Sequence, residues 1–135
     1  MAKFGKRSTA NLAQCHPLLQ RIFNEVIKRY NHTILVGRRG EEAQNQAVAD
    51  GKSKLTYPNS KHNPIPSKAV DAAPWFSKEP HIRWWDTKSF YHFGGFVLGV
   101  AAEMGIEIRW GGDWSMDNIL DDQTFNDLVH FELKE

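Results

Sequence analysis

Cysteine is almost missing from this sequence, since Cys15 is the only one in 135 residues. The chain therefore has no disulfide of its own and no metal cluster made of several thiolates. Cys15 lies in an amphipathic stretch, where a lone cysteine is typically a small core residue and not a reactive thiolate. Internal cross-links are excluded as the basis of the fold, and thiol chemistry is not expected to be the basis of the function.

A surplus of charge and a long apolar run are also absent. The 17 Lys and Arg residues nearly balance the 16 Asp and Glu residues, unlike the basic surface of a protein that binds nucleic acid or anionic membranes. No segment approaches the roughly 20 apolar residues that span a bilayer, and residues 1–12 lack the apolar run of a secretory signal peptide. We expect no nucleic-acid partner, no membrane insertion and no signal peptide, for a protein made in a cytoplasm.

The chain shows no repeat, low-complexity segment or linker, and 135 residues are enough for one domain with its own core. Apolar periodicity and helix-end residues predict helices over 9–14, 17–30, 41–50 and 87–104, the first capped by Ser8 and the last by Asp86. Strands are predicted over 33–36, 69–73, 106–110 and 129–133, and a loop over 52–68. This order predicts a single α+β domain over residues 1–135, with helices packed against a small antiparallel sheet.

Several glycine and aromatic residues carry expectations about packing. Glycine is costly inside a helix, so the last predicted helix should be approached closely by another element at Gly94, Gly95 and Gly99.

Alternation in the last strand predicts one face that is buried, made of Val129, Phe131 and Leu133. Six aromatic residues are candidates for the walls of a groove, with at least half of them expected in the core: Trp75, Phe76, Trp84, Trp85, Trp110 and Trp114.

A zinc site is one interpretation of His62, Asp71 and His130, which include two of the six histidines. Two imidazoles and one carboxylate are a normal ligand set for catalytic zinc, and they leave a fourth position for water. Zinc lowers the pKa of that water to about 7 and polarises a peptide carbonyl, as amide hydrolysis requires. The chain has no H-E-x-x-H motif, however. From the residues alone, an Asp71 that caps a turn and a His130 satisfied at a sheet edge stay open as the alternative.

Hydrolysis also requires a carboxylate that is not a metal ligand, which takes a proton from the water and passes it to the leaving amine. Asp127, three residues before His130, is the candidate. Glu132, which shares a strand face with His130, is the rival base or a partner of that histidine. Positions three apart on a regular strand face opposite sides, so Asp127 reaches the site only if it lies where the chain enters the strand.

Three segments contain the candidate residues: Ser60-Lys61-His62, Ala69-Val70-Asp71 and Asp127-Leu128-Val129-His130-Phe131-Glu132. Together they resemble the zinc D-Ala-D-Ala peptidase superfamily. That superfamily includes VanX, VanY and the phage L-alanyl-D-glutamate peptidases, and its fold resembles the Hedgehog signalling domain. The likeness extends over most of the chain, through Gly37-Arg38-Arg39, Ala72-Ala73-Pro74 and Arg109-Trp110-Gly111-Gly112-Asp113-Trp114. The last of these segments is typical of cell-wall peptidases, and the chain most resembles the phage endolysin branch.

The resemblance implies a role for particular residues of this sequence. It implies one zinc ion per chain, with the ligands His62, Asp71 and His130. It places the catalytic acid/base at Asp127 and the arginine that stabilises the oxyanion at Arg39, with Arg38 as the alternative. A guanidinium near the scissile carbonyl offers forked donors to the developing negative oxygen. The residues expected to contact substrate are Ser60, Trp110 and Asp113.

One segment departs from the family pattern. The family usually has S-x-H-x-x-G-x-A-x-D, whereas eight residues separate His62 from Asp71 here, and the residues 63–68 contain two prolines and no glycine. Loops accept insertions at low cost, and proline can stiffen what glycine would have bent. We therefore expect the ligand set to be kept and the shape of the loop, with the substrate fit beside it, to differ.

The implied activity is that of a zinc-dependent peptidoglycan endopeptidase, a phage or prophage endolysin that cleaves the L-Ala–D-Glu bond of the stem peptide. Such a protein is made in the host cytoplasm and meets the wall in the periplasm once a holin-type protein has permeabilised the membrane. We expect a monomer without a separate wall-binding domain.

Two alternatives stay open: a D,D- or L,D-carboxypeptidase that uses Lys61 and Lys68 to bind a terminal carboxylate, and a Hedgehog-like zinc-binding module without turnover. Asp127 and Arg39 beside the ligand set favour an enzyme.

Overall fold

The computed structural model describes residues 2–134, which form four α-helices and four β-strands. The elements follow one another as α1 (Lys6–Ala13), α2 (Pro17–Val26), β1 (His32–Val36), α3 (Glu41–Ala49), β2 (Ala69–Pro74), α4 (Thr87–Glu103), β3 (Ile108–Gly111) and β4 (Asp127–Leu133). Residues 52–68 contain no helix, as predicted. Within residues 2–134, no helix combines the length and the apolar character that a membrane crossing requires.

The strands form one antiparallel sheet in the order β1-β2-β4-β3. The central strands β2 and β4 are paired so that Asp71 lies opposite His130. The predicted α+β architecture with a small antiparallel sheet is confirmed. Its register brings two of the three proposed ligands side by side, although they are far apart in the sequence.

The hydrophobic core lies between the sheet and the helices α2 and α4. Phe131 of β4 is fully buried, and its ring lies 5.5 Å from the ring of Phe23 in α2 and 5.9 Å from that of Phe93 in α4. Cys15 is also buried, and burial together with the negative charge of Asp71 raises the pKa of its thiol to about 12. The expectation that Cys15 is a core residue is confirmed. Val129 is less buried than Phe131 and borders a cleft, so its predicted core position is wrong.

The helix boundaries were predicted well for α4 and less well for α1 and α2. Helix α4 is capped by Asp86, whose carboxylate accepts hydrogen bonds from the backbone and hydroxyl of Ser89, and it is followed by Gly105 at φ 71°. Helix α1 instead begins at Lys6, so the prediction that Ser8 caps it is wrong. The Ser8 hydroxyl accepts a hydrogen bond from the Ile34 amide at 3.0 Å, which ties α1 to β1. Helix α2 also ends earlier than predicted, at Val26.

Close packing on α4 is found at only one of the three glycines. A Cβ at Gly94 would lie 2.4 Å from the indole ring of Trp110, whereas Gly95 and Gly99 have no other atoms within 4 Å of that position. Trp110 is held there because its indole N–H donates to the Leu128 carbonyl at 2.8 Å. The prediction is therefore confirmed at Gly94 and wrong at Gly95 and Gly99.

The expectation that half of the six aromatic residues are core is also wrong. Trp110 is 2% exposed, but Trp84 and Trp85 are 58% and 69% exposed. The residues between β2 and α4 run over the surface, where the Trp75 ring stacks on His81 at 4.3 Å and the Phe76 ring lies under the Arg83 guanidinium. These rings are covered locally by polar neighbours rather than by the core.

Candidate active site

The side chains of His62, Asp71 and His130 converge, and one potential ligand atom from each lies within 4.8 Å of the others. All three residues are buried, at 1%, 6% and 8% exposure. Asp71 and His130 are paired across β2 and β4, and His62 comes from the 52–68 loop. The residues that the sequence singled out therefore form one buried group that can bind a metal ion.

His62 is fixed in the loop by hydrogen bonds on both sides. Its Nδ1 lies 2.8 Å from the Gly37 carbonyl, which can only accept, so Nδ1 carries the proton. Its backbone carbonyl accepts from the Arg39 amide at 2.8 Å. The other ring nitrogen, Nε2, lies 3.2 Å from Asp71 Oδ1, with its lone pair directed into the group. This tautomer is the one in which Nε2 can bind a metal.

His130 is oriented by a carboxylate on its outer side. Its Nε2 lies 2.8 Å from Glu132 Oε1, while its Nδ1 lies 3.2 Å from Asp71 Oδ1. Glu132 is itself held by Arg109, whose Nη2 lies 2.9 Å from Oε2. A carboxylate that accepts the outer N–H of a metal-binding histidine fixes its tautomer and increases its basicity. Nδ1 of His130 is thus the nitrogen available to a metal.

The charges of the group favour a bound cation. Burial raises the pKa of Asp71, but the adjacent His62 and His130 outweigh burial and hold that pKa well below its usual range. Burial lowers the pKa of His130, and its contacts with Asp71 and Glu132 outweigh burial and raise the pKa to about 9. The buried carboxylates therefore draw positive charge to this point. Two ring nitrogens and one carboxylate oxygen fit a divalent metal such as zinc.

Asp127 lies beside the group at the start of β4. The pairing of β3 with β4 is irregular here, because Trp110 pairs with Phe131 but the next residue, Gly111, pairs with Asp127. The irregularity frees Asp127 from the alternation of a regular strand, and its side chain borders the same cleft as His62 and His130. Burial, and then the negative charge of Asp71, raise the pKa of Asp127.

The two adjacent arginines point to different places. Arg39 Nη2 lies 3.4 Å from Asp71 Oδ2, and its side chain borders the cleft. Arg38 Nε instead donates to the Asn63 carbonyl at 3.1 Å, outside the ligand group. The structure therefore places Arg39, and not Arg38, where a guanidinium could meet a reacting carbonyl.

The cleft continues on both sides of the ligand group. One half, with a volume of about 230 Å³, lies over His62 and His130, and we call it the basic arm after Lys54, Lys61 and Arg109. The other half, of about 470 Å³, borders Asp71, and we call it the apolar arm after Leu35, Val36, Trp84 and Val129. Four residues line both arms: Arg39, Lys52, Phe125 and Asp127.

The three residues expected to contact substrate lie in different environments. Ser60 borders the basic arm, but it is 6% exposed and its hydroxyl accepts from the His62 amide at 3.2 Å. Trp110 belongs to the core. Asp113 is 4% exposed, and its carboxylate accepts from the Asn118 amide at 2.9 Å, which organises the loop after β3. The structure therefore does not bring Trp110 and Asp113 into the cleft with the ligand group.

Of the other side chains at the cleft, Trp114 was a candidate groove wall in the sequence, whereas Phe125 and Arg109 were assigned no such role. The Trp114 ring lies 5.5 Å from the His130 ring, and Phe125 lines both arms. Arg109 faces Glu132 because the two residues are paired across β3 and β4. Only the strand register, which the sequence does not reveal, could have identified Arg109 as the partner of Glu132.

Comparisons with known proteins identify the family and the fold of the chain. A family model described as phage L-alanyl-D-glutamate peptidase matches residues 1–134. The L-alanyl-D-glutamate peptidase of Escherichia phage T5 is 34% identical over 116 residues, which cover 84% of this chain and 82% of that protein. The crystal structure of the Serratia marcescens L-Ala D-Glu endopeptidase ChiX superposes with a TM-score of 0.74 at 24% identity, covering 98% of this chain and 90% of that one. The predicted fold is thereby confirmed, and the chain belongs to the phage L-alanyl-D-glutamate peptidase family.

Proposed function

We propose that this chain is a zinc-dependent peptidoglycan endopeptidase that cleaves the L-Ala–D-Glu bond of the stem peptide and serves a phage or prophage as its endolysin. The observation that carries the proposal is the convergence of His62, Asp71 and His130 in a cleft that Asp127 and Arg39 also line. Membership of the phage L-alanyl-D-glutamate peptidase family supports the choice of bond. Zinc held by the three ligands would supply Lewis acidity toward a carbonyl and an activated water.

Asp127 and Arg39 have separate tasks in this proposal. Asp127 accepts a proton from the attacking water and returns it to the departing amine, for which the raised pKa of a half-buried carboxyl is suited. Arg39 donates hydrogen bonds to the carbonyl oxygen as negative charge develops on it. Glu132 is a positioning residue that acts through His130, because both of its carboxylate oxygens are already engaged.

The shape of the cleft favours an endopeptidase over a carboxypeptidase. An endopeptidase must hold chain on both sides of the cut, and the two arms, which share four lining residues, lie on either side of the ligand group. Lys61, one of the two lysines considered for a terminal carboxylate, is already directed to Glu132 at 3.5 Å. The site therefore resembles a groove that accommodates a continuing peptide more than a pocket that ends at a carboxylate.

The biological setting belongs to the same proposal. The enzyme is made in the host cytoplasm, passes to the periplasm through a membrane permeabilised by a holin-type protein, and works there as a monomer on peptidoglycan. Cutting next to the sugar end of the stem releases peptide from glycan and dissolves the mesh, as host lysis requires.

Digestion of purified peptidoglycan tests the proposed function. We expect new amino-terminal D-Glu, with L-Ala left on the muramyl residue, and we expect a chelator to abolish the release. Free D-Ala from an intact mesh would instead identify a carboxypeptidase. Zinc binding without release of any peptide would favour the non-catalytic, Hedgehog-like module.

A further inference from the structure

The two arms of the cleft differ in charge. Lys54, Lys61 and Arg109 line only the basic arm. The residues found only in the apolar arm include no lysine or arginine, and the ligand Asp71 is their one charged member beside Leu35, Val36, Val129 and the indole of Trp84. Arg39, Lys52, Phe125 and Asp127 lie between the two. A peptide that crosses the ligand group therefore passes from a positively charged environment to an apolar one.

Five lysine and arginine side chains line the basic arm, of which three are already engaged and two are available. Arg39 contacts Asp71 at 3.4 Å. Arg109 and Lys61 both contact Glu132, at 2.9 and 3.5 Å. Lys52 and Lys54 are exposed, and no carboxylate of residues 2–134 lies within 4.0 Å of either ammonium group. The Lys54 ammonium lies 4.5 Å from the centre of the Phe125 ring, which borders both arms. This contact places an uncompensated positive charge near the middle of the groove.

Trp84 is the most exposed apolar side chain of the apolar arm. Its indole is 58% exposed, yet one face stacks on Phe90 with the ring centres 5.6 Å apart. The stacking orients the ring while its other parts stay open to the cleft. A large aromatic surface of this kind is suited to bind an uncharged group.

The two sides of the proposed scissile bond differ in the same way. A glutamyl residue has two carboxyl groups, and only one of them continues the peptide, so a D-glutamyl residue keeps one free carboxylate next to the amide that is cut. The alanyl residue on the other side presents a methyl group and no charge. Charge complementarity between groove and substrate therefore permits one direction of binding and opposes the reverse.

We propose that the cleft binds its substrate in one direction, with Lys54 in the basic arm binding the free carboxylate of the D-glutamyl residue and the alanyl side lying in the apolar arm against Trp84. Lys52 assists from the middle of the groove. This inference rests on the proposed function, because it takes the L-Ala–D-Glu amide as the bond that is cut. It makes Lys54 a specificity-determining residue that contacts the leaving side of the substrate.

The test compares two synthetic stem peptides, one with the free glutamyl carboxylate and one in which an amide replaces that carboxylate. In the zinc-loaded protein, Lys54→Gln should lower kcat/KM for the first peptide by about five-fold, which is the upper range for an exposed ion pair. It should leave kcat/KM for the amide unchanged. The Lys52→Gln/Lys54→Gln double variant should lower kcat/KM further for the carboxylate peptide, and should leave the value for the amide peptide unchanged. Zinc content and circular dichroism show whether each variant is intact.

Two matched variants separate charge recognition from general damage. Trp84→Ala, on the opposite arm, should lower kcat/KM for both peptides by the same factor, because it contacts the alanyl side. Lys78→Gln removes an exposed lysine that does not border either arm and should change neither value. Only substitution of the groove lysines should therefore change the ratio of the kcat/KM values for the two peptides.

Failure of the inference and failure of the proposed function give different results. In one outcome, the unmodified protein cleaves both peptides between L-Ala and D-Glu, but the lysine substitutions lower kcat/KM equally for both peptides or for neither. The proposed direction of binding is then wrong, and the proposed function stands. If the unmodified protein cleaves neither peptide at this bond while remaining zinc-loaded, the proposed function is wrong and the inference falls with it.

Discussion

The carboxylates of Asp127 and Glu132 have different chemistry because they have different neighbours. Glu132 is engaged at both oxygens, by His130 at 2.8 Å and by Arg109 at 2.9 Å. Burial raises the pKa of Glu132, but these two neighbours outweigh burial and lower the pKa to about 2. Asp127 is half-buried beside Asp71, and its pKa is raised instead. The residue that can take up a proton is therefore Asp127, while Glu132 orients a ligand.

Substitution of the two carboxylates should separate these roles. Asp127→Asn should keep its zinc and lose a factor of about 100 or more in kcat, because it removes the general base. Glu132→Gln should lower zinc affinity by about ten-fold, as loss of a ligand's hydrogen-bond partner does, and should cost less in kcat once zinc is saturating. Zinc content by mass spectrometry and turnover of a stem peptide are the measurements.

Asp121→Asn, which changes an exposed carboxylate of the loop between β3 and β4, is the control and should match the unmodified protein. Loss of zinc from Asp127→Asn would mean that Asp127 is a fourth ligand. If Glu132→Gln were inactive while saturated with zinc, and Asp127→Asn were active, Glu132 would be the general base and Asp127 would not.

His32 is a buried histidine that should make stability depend on pH. It is 3% exposed, its Nδ1 donates to the Tyr30 carbonyl, and its Nε2 has no partner among the described residues. Burial lowers the pKa to about 4, against the smaller opposing effect of the Tyr30 hydrogen bond. Between the ordinary histidine pKa of about 6.5 and this value, the unfolded chain binds a proton at His32 and the folded chain does not.

The free energy of unfolding should therefore fall as the pH falls from 6.5 to 4, with a contribution from His32 of about 3 kcal/mol over the window. In His32→Phe this dependence is lost, so the unmodified protein should lose stability relative to the variant as the pH falls. Urea denaturation with a chelator present measures the difference without metal release. His92→Gln, at an exposed position of α4, should keep the slope of the unmodified protein. Parallel pH profiles for the His32→Phe and unmodified proteins would contradict the prediction.

At the scale of elements, boundaries were predictable where one residue decides them locally. Asp86 and Gly105 define α4 through a capping hydrogen bond and a positive φ, and both are visible in the sequence. Ser8 gave a false signal because its hydroxyl bonds to Thr33 and Ile34 in β1 rather than to its own helix. Long-range partners of a polar side chain are not readable from local sequence, and the start of α1 was predicted wrongly for this reason.

The glycines of α4 provide a matched pair for testing packing within one helix. At Gly94 a Cβ would lie 2.4 Å from the Trp110 ring, which the core holds in place, so Gly94→Ala should destabilise the protein by about 1–3 kcal/mol through overpacking. At Gly99 nothing lies within 4 Å, so Gly99→Ala should stabilise it by about 0.5–1 kcal/mol through helix propensity. Denaturant unfolding measures both. Equal effects of the two substitutions would contradict the contact with Trp110.

At the scale of the whole molecule, the candidate site joins segments that the sequence keeps far apart. The ligand set could be proposed from the sequence because the motifs around His62, Asp71 and His130 resemble those of a known family. The spacing alone did not distinguish this set from other combinations of histidine and carboxylate. The two-armed cleft could not be predicted, because it depends on where the loop 52–68, the segment before α4 and the loop before β4 meet.

Removal of the metal should weaken the whole fold as well as the activity. Without a cation, the described residues that balance the buried charge of Asp71 are Arg39, at 3.4 Å, and His130, whose pKa is raised to about 9. Free zinc at about 100 times its dissociation constant contributes about 2.7 kcal/mol to the folded state, which for a domain of this size corresponds to roughly 10 °C in Tm. Calorimetry with and without a chelator should show this shift, and added zinc should reverse it together with the loss of lytic activity. His62→Ala should show little response to zinc, whereas His92→Ala should respond like the unmodified protein. A chelator-treated protein that keeps both its Tm and its activity would contradict the metal assignment.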